Sequence, residues 1–82
     1  MVREYRAPNN NWWSPEDRAG EYVVIYPNGT KSWHKDGKRH RTDGPAYTCP
    51  YGTKDYWYEG KIYLEIQSDE EWKELLRLRF LW

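Results

Sequence analysis

Gly29-Thr30-Lys31-Ser32-Trp33-His34-Lys35-Asp36-Gly37-Lys38-Arg39-His40 is echoed 23 residues later by Gly52-Thr53-Lys54-Asp55-Tyr56-Trp57-Tyr58-Glu59-Gly60-Lys61-Ile62-Tyr63. Pro27 and Pro50 fall in step with them. A fixed period of this length marks one supersecondary unit stacked on a copy of itself. In each copy a two-residue turn, Asp36-Gly37 or Glu59-Gly60, separates two short runs. Asp-Gly fills the two positive-φ positions of a type I′ hairpin, so the turn dictates the pairing. Lys35 then opposes Lys38, His34 opposes Arg39, Trp33 opposes His40 and Ser32 opposes Arg41. In the second copy Tyr58 opposes Lys61, Trp57 opposes Ile62 and Tyr56 opposes Tyr63. Side chains alternate along a strand, so Ile62, Leu64 and Ile66 share a side with Trp57, while Tyr56, Tyr58 and Tyr63 share the other.

The flanks extend this pattern. Glu21-Tyr22-Val23-Val24-Ile25-Tyr26 is β-branched and aromatic and ends at Pro27-Asn28-Gly29, as a strand should. Thr42-Asp43-Gly44-Pro45 is a second turn, Ala46 to Cys49 a short strand, and Pro50-Tyr51-Gly52 a further turn. Thr53 to Tyr58 and Lys61 to Ile66 make the second hairpin. Ser68-Asp69-Glu70-Glu71 has the form of a capping box, and acids in the first turn with Arg77 and Arg79 near the end suit the helix dipole. Trp72, Leu75, Leu76 and Phe80 form one stripe at helical spacing, with Leu78 flanking. The spacing predicts a helix over 68–81, laid across the face that carries Trp57, Ile62, Leu64 and Ile66.

The expected fold is therefore mainly β: an antiparallel meander of 5–6 strands built from 23-residue repeats over 21–66, with one C-terminal helix packed on the sheet. Residues 1–20 read either as an irregular segment or as a degenerate earlier copy, with Trp12-Trp13 as a core lid or end cap. Within them, Ser14-Pro15-Glu16-Asp17 can cap one helical turn. All of this fits a single domain of 82 residues. Only 38% of the residues are hydrophobic, but 18% are aromatic, and aromatic side chains bury enough area each for a few of them to close a small core.

Thirteen basic and 13 acidic side chains cancel, which argues against generic nucleic-acid binding. The charges are segregated: Lys31 to Arg41 carries five cations and both histidines against Asp36, and Glu65 to Glu74 carries five acids against Lys73. Cys49 is the only cysteine, so neither an intrachain disulfide nor a cysteine metal site is expected. No apolar run has the length of a signal core or a membrane span, and a cytoplasmic location is expected. Phosphate loops, nucleophile elbows and His-Glu-x-x-His or Cys-x-x-Cys spacings are missing from the sequence. His34 and His40 fall on opposite faces and cannot chelate a metal together. No enzyme, cofactor or metal is expected.

The strongest functional candidate is the run His40-Arg41-Thr42-Asp43-Gly44-Pro45. It can bind a phosphate or carboxylate, or serve the turn itself, with Asp43 accepting backbone N–H bonds and Arg41 bridging to it. The segment Gly29 to Ala46, with its His-Arg-Thr-Asp-Gly-Pro-Ala core, resembles the MORN-related repeat found in small proteins of tailed bacteriophages and some large viruses. The second copy departs from that pattern, since Ile62-Tyr63 replaces Arg-His and no Asp-Gly-Pro-Ala follows. The resemblance implies an antiparallel meander that works by binding, and a viral accessory protein.

The leading expectation is a non-enzymatic phage protein that binds a host protein during host takeover or anti-defence. Trp, Tyr and Arg most often carry interface energy, so Trp33, His34, Lys38, Arg39, His40, Arg41, Tyr56 and Tyr58 are the candidate binding residues. Asp36, Gly37, Asp43, Gly44 and Gly60 are assigned to turns. Two alternatives stay open. One is a small-ligand binder that sequesters a phosphate-bearing nucleotide signal, since aromatics beside arginines suit a nucleobase and its phosphate. The other is a self-associating module, a homodimer among its forms, because an open sheet has unpaired edges.

Overall fold

A computed structural model describes residues 2–80, the last of them for its backbone only. The described residues form eight short strands and one helix: β1 (Arg3–Arg6), β2 (Glu21–Ile25), β3 (Lys31–Lys35), β4 (Lys38–Arg39), β5 (Tyr47–Thr48), β6 (Lys54–Asp55), β7 (Trp57–Tyr58), β8 (Lys61–Ile62) and α1 (Asp69–Phe80). Strands run in the order β1-β2-β3-β5-β6 with β4 also on β3, and β7-β8 is a separate two-stranded ribbon.

Both hairpins take the pairing their turns dictate. His34 pairs with Arg39 and Lys35 with Lys38, while Trp57 pairs with Ile62 and Tyr58 with Lys61. Asp36 and Gly37 have φ of 52° and 84°, and Glu59 and Gly60 have 52° and 85°. The same correspondence holds one step out. Tyr26 N–H donates to Thr30 O as Cys49 N–H does to Thr53 O, and Val24 pairs with Ser32 as Tyr47 does with Asp55. Ser32, in contrast, lies opposite Tyr47 and Val24, not opposite Arg41, because β5 replaces β4 beside that half of β3.

Glu59 is the one place where this turn geometry falls on an unsuitable residue. A left-handed conformation costs a side chain with a Cβ about 1 kcal/mol, and Asn tolerates it better. Glu59→Asn is therefore expected to stabilise the domain by roughly 0.5 kcal/mol, read as a raised urea midpoint at constant slope.

The N-terminal segment is not irregular throughout. Arg3–Arg6 runs parallel to β2, pairing Arg3 with Tyr22 and Arg6 with Ile25, which makes the sheet mixed. A parallel neighbour needs a long crossover, and residues 7–20 supply it. No helical turn forms at Ser14 to Asp17; Asp17 instead accepts from Ala19 N–H at 3.1 Å and pairs with Arg3 at 3.0 Å. These contacts, the Ala19 bond foremost, hold the Asp17 carboxyl below the usual carboxylate range.

Two apolar clusters hold the fold. Ala7, Tyr22, Val24 and Tyr26 pack together under the crossover with Tyr5 and Trp13. Tyr56, Tyr63, Trp72 and Leu76 form the second, with Tyr58, Ile66 and Leu75 at its margin. The helix thus docks on the tyrosine side of the second hairpin, not on Trp57, Ile62 and Leu64; of the predicted face, Ile66 does pack against the helix cluster. Leu64 is 79% exposed. The predicted side is occupied already: Trp57 packs against the Arg39 guanidinium, whose carbon lies 5.1 Å from its ring centroid. Phe80, assigned to the helical stripe, and position 81 fall outside the described side chains.

Helix α1 starts as its sequence demands. Glu71 N–H donates to Ser68 Oγ at 3.1 Å, and the Glu71 carboxylate reaches back to accept from Gln67 N–H at 3.1 Å. Among the described residues no helix is long and apolar enough to cross a membrane.

Candidate functional site

The face of the sheet beside the first cluster is where the hairpin register matters. Tyr22, His34 and Arg39 lie in one cross-strand row, and Val24, Ser32 and Tyr47 in the next. Neighbouring rows on one face bring Arg39 next to Ser32 and Tyr47. The Arg39 Nε–H donates to Ser32 Oγ at 3.1 Å, and Ser32 Oγ is 2.8 Å from His34 Nε2. That contact is a hydrogen bond whose donor is set by the histidine tautomer, since a hydroxyl can both accept and donate. The other ring nitrogen, Nδ1, is buried and has no partner among the described residues.

His34 is held as a neutral ring. It stacks on Tyr22 with centroids 5.1 Å apart and planes at 14°. Burial, with the Arg39 charge adding to it, pushes its pKa from 6.5 down to about 4. His40 is buried on the other face, where its Nδ1 accepts from Glu59 N–H at 3.0 Å. A ring nitrogen that accepts from an amide carries no proton, so the nearby Glu59 carboxylate, 3.8 Å away, faces a neutral imidazole rather than an ion-pair partner. Burial lowers the His40 pKa despite that carboxylate.

Arg39 is the centre of an aromatic box. Its guanidinium carbon lies 5.1 Å from the Tyr47 ring centroid, 5.1 Å from Trp57 and 5.7 Å from Trp12. Such contacts contribute on the order of 0.5–2 kcal/mol each, more as water is excluded. Among the described residues no carboxylate lies within ion-pair distance of Arg39. Arg39, Tyr47 and Trp12 line an open cavity of about 470 Å³, whose other walls include Asn10, Asn28 and Asp55. Trp12 is 68% exposed at this cavity, so the two adjacent tryptophans have different roles: Trp13 joins the core and Trp12 lines the site.

The predicted binding residues divide accordingly. Arg39 lines this site, whereas His34 is linked to it only through Ser32 and itself lines the cleft of about 100 Å³ beside His40. Tyr56 does not: it is buried under the helix, where its hydroxyl donates to Asp69 Oδ1 at 2.8 Å and burial raises its pKa to about 12. His40 and the half-buried Tyr58 pack on each other, with centroids 4.8 Å apart. Lys38 is exposed and passes over Gly60, where an added Cβ would meet it at 3.7 Å.

Arg41 lies 3.9 Å over the Trp33 ring and donates to Pro45 O at 3.2 Å, so it braces its own loop and does not bridge to Asp43. Asp43 is exposed, and Gly44 is buried between Arg41 and Asp69. Asp36 holds its turn to the crossover by accepting from Gly20 N–H at 2.7 Å. The His40-to-Asp43 run lines only a cleft of about 100 Å³, well under the few hundred Å³ of ordinary ligand sites.

Sequence reasoning missed Trp12, Tyr47, Asn10, Asn28 and Asp55. Tyr47 was within reach, since an Ala46–Cys49 strand beside β3 puts it next to Ser32. The other contacts come from a crossover that no local pattern announces. Among the described residues no group of three His, Cys, Asp or Glu could hold a metal ion. Comparison of the chain with family models, curated proteins and solved structures finds no match.

Proposed function

We propose that this chain is a non-enzymatic binding protein whose working surface is the Arg39 cavity, and that it acts as a viral accessory protein on a protein of the host cytoplasm. One observation carries the binding reading: a half-buried arginine, boxed by Trp12, Tyr47 and Trp57 and with no carboxylate at ion-pair distance among the described residues, opens into a cavity of about 470 Å³. Trp and Tyr around an Arg is the composition of an interface hot spot. The viral and host assignments rest on the repeat resemblance of Gly29 to Ala46. The test is photocrosslinking in cells from a benzoylphenylalanine placed at Trp12.

A second reading is favoured by the cavity size, which falls within the range of small-molecule sites. On this reading the chain sequesters a small phosphate-bearing ligand. Self-association has less support: β1, at one edge of the sheet, carries Arg3, Glu4 and Arg6, and β6, at the other, is only two residues long. Charged or short edges resist pairing with another chain.

A further inference from the structure

We infer that the Arg39 cavity is an oxyanion receptor, taking a carboxylate or phosphate group of its ligand. This deepens the binding reading above and rests on it for biological meaning, but not for its test. At this cavity the acceptor ends of two side-chain amides are already used. Asn10 Oδ1 accepts from Asn28 N–H at 3.0 Å, and Asn28 Oδ1 accepts from Thr30 N–H at 2.9 Å. Each bond fixes the orientation of its side-chain amide, because only the oxygen can accept. The Nδ2 amide of both residues is therefore the end left over, and both residues line the cavity.

Arg39 is committed in the same one-sided way. Its Nε–H is bound to Ser32, which leaves the two terminal nitrogens without a hydrogen-bond acceptor among the described residues. That pair matches the paired oxygens of a carboxylate or phosphate. A cation and two amide donors thus meet at one cavity with their acceptors already satisfied elsewhere. Asp55 is the single acid among the described residues of the cavity wall, and it offers a place for a donor carried by the same ligand.

The test is a two-dimensional amide NMR titration of the full chain with four probes: inorganic phosphate, adenosine monophosphate, adenosine, and N-acetylaspartate amide. The expected result is a saturable shift of the Asn10 and Asn28 side-chain amides and the Arg39 Nε–H with at least one oxyanion probe, and none with adenosine. Response to phosphate and the monophosphate assigns the group to a free phosphate ligand; response to the aspartate derivative assigns it to an acidic side chain of a partner. Asn10→Asp keeps the oxygen that accepts from Asn28 N–H but replaces the donor by a negative charge. It should weaken the oxyanion by about tenfold or more while the backbone amide spectrum stays folded.

Absence of any saturable shift, equal response to adenosine and its monophosphate, or undiminished affinity in Asn10→Asp would overturn the inference. None of these results bears on whether a partner crosslinks at Trp12, so the two proposals fail separately.

Discussion

Replacement of Trp72 by alanine is expected to remove most of the stability of the domain. The indole is fully buried, and its ring centroid lies 5.5 Å from Tyr56 and 5.4 Å from Tyr63. Its Nε1–H also donates to Arg41 O at 2.9 Å, so it ties the helix to the loop after the first hairpin. Truncating a buried tryptophan costs about 3–5 kcal/mol through lost transfer energy and an unfilled cavity. Leaving the Arg41 carbonyl without its donor adds about 1 kcal/mol or more. A domain of this length holds only about 4–12 kcal/mol in total, so urea unfolding should begin near zero denaturant. Trp72→Phe, which keeps a ring but loses the N–H, should sit between the two. A wild-type midpoint for Trp72→Ala would show that the helix is not docked through this residue.

Acid is expected to unfold the protein through His34 well before the carboxylates titrate. In the unfolded chain the ring takes up a proton near pH 6.5, whereas in the folded protein it resists until about pH 4. Below 6.5 the unfolded state therefore binds more protons, and stability falls with falling pH. The stabilisation is intact above pH 6.5 and is lost across the window down to about 4. Its size is on the order of 3 kcal/mol at one pKa unit per 1.36 kcal/mol. His40, buried neutral and accepting from Glu59 N–H, shifts in the same direction and adds to the effect.

Urea midpoints measured from pH 7.5 to 4.5 should fall steeply in the wild type. They should fall less in His34→Gln, whose side chain does not titrate. Equal slopes in the two proteins, or an NMR-measured His34 pKa near 6.5, would refute the assignment.

What could be read from the chain was what is local. Asp36-Gly37 and Glu59-Gly60 fix their own hairpins by backbone geometry, and Ser68 with Glu71 fixes the start of the helix; all need only a few neighbouring residues. The docking face of the helix was different in kind. Both sides of the second hairpin are apolar, and the choice fell to Tyr56 and Tyr63 because Trp57 is engaged by Arg39, a residue from the other hairpin. A parallel β1 is equally non-local, since Arg3–Arg6 has no alternation or turn that names β2 as its neighbour.

The same division runs through the site. Arg39 and His34 were visible because the hairpin register sets them opposite each other. Trp12 and Asn10 were not, because the crossover brings them to the cavity from outside any strand. His40 and Tyr56 looked like surface groups only because burial from a distant segment leaves no mark in a local pattern.

The claim that the working surface is the Arg39 cavity is tested most directly by photocrosslinking in cells from two positions. A benzoylphenylalanine at Trp12 sits at the cavity, and one at Leu78, 69% exposed on the helix, sits away from it. The expected result is a discrete adduct from position 12 that is lost in the Arg39→Ala background, with none from position 78. An adduct from position 78 alone, or one from position 12 that survives Arg39→Ala in a folded protein, would place the working surface elsewhere.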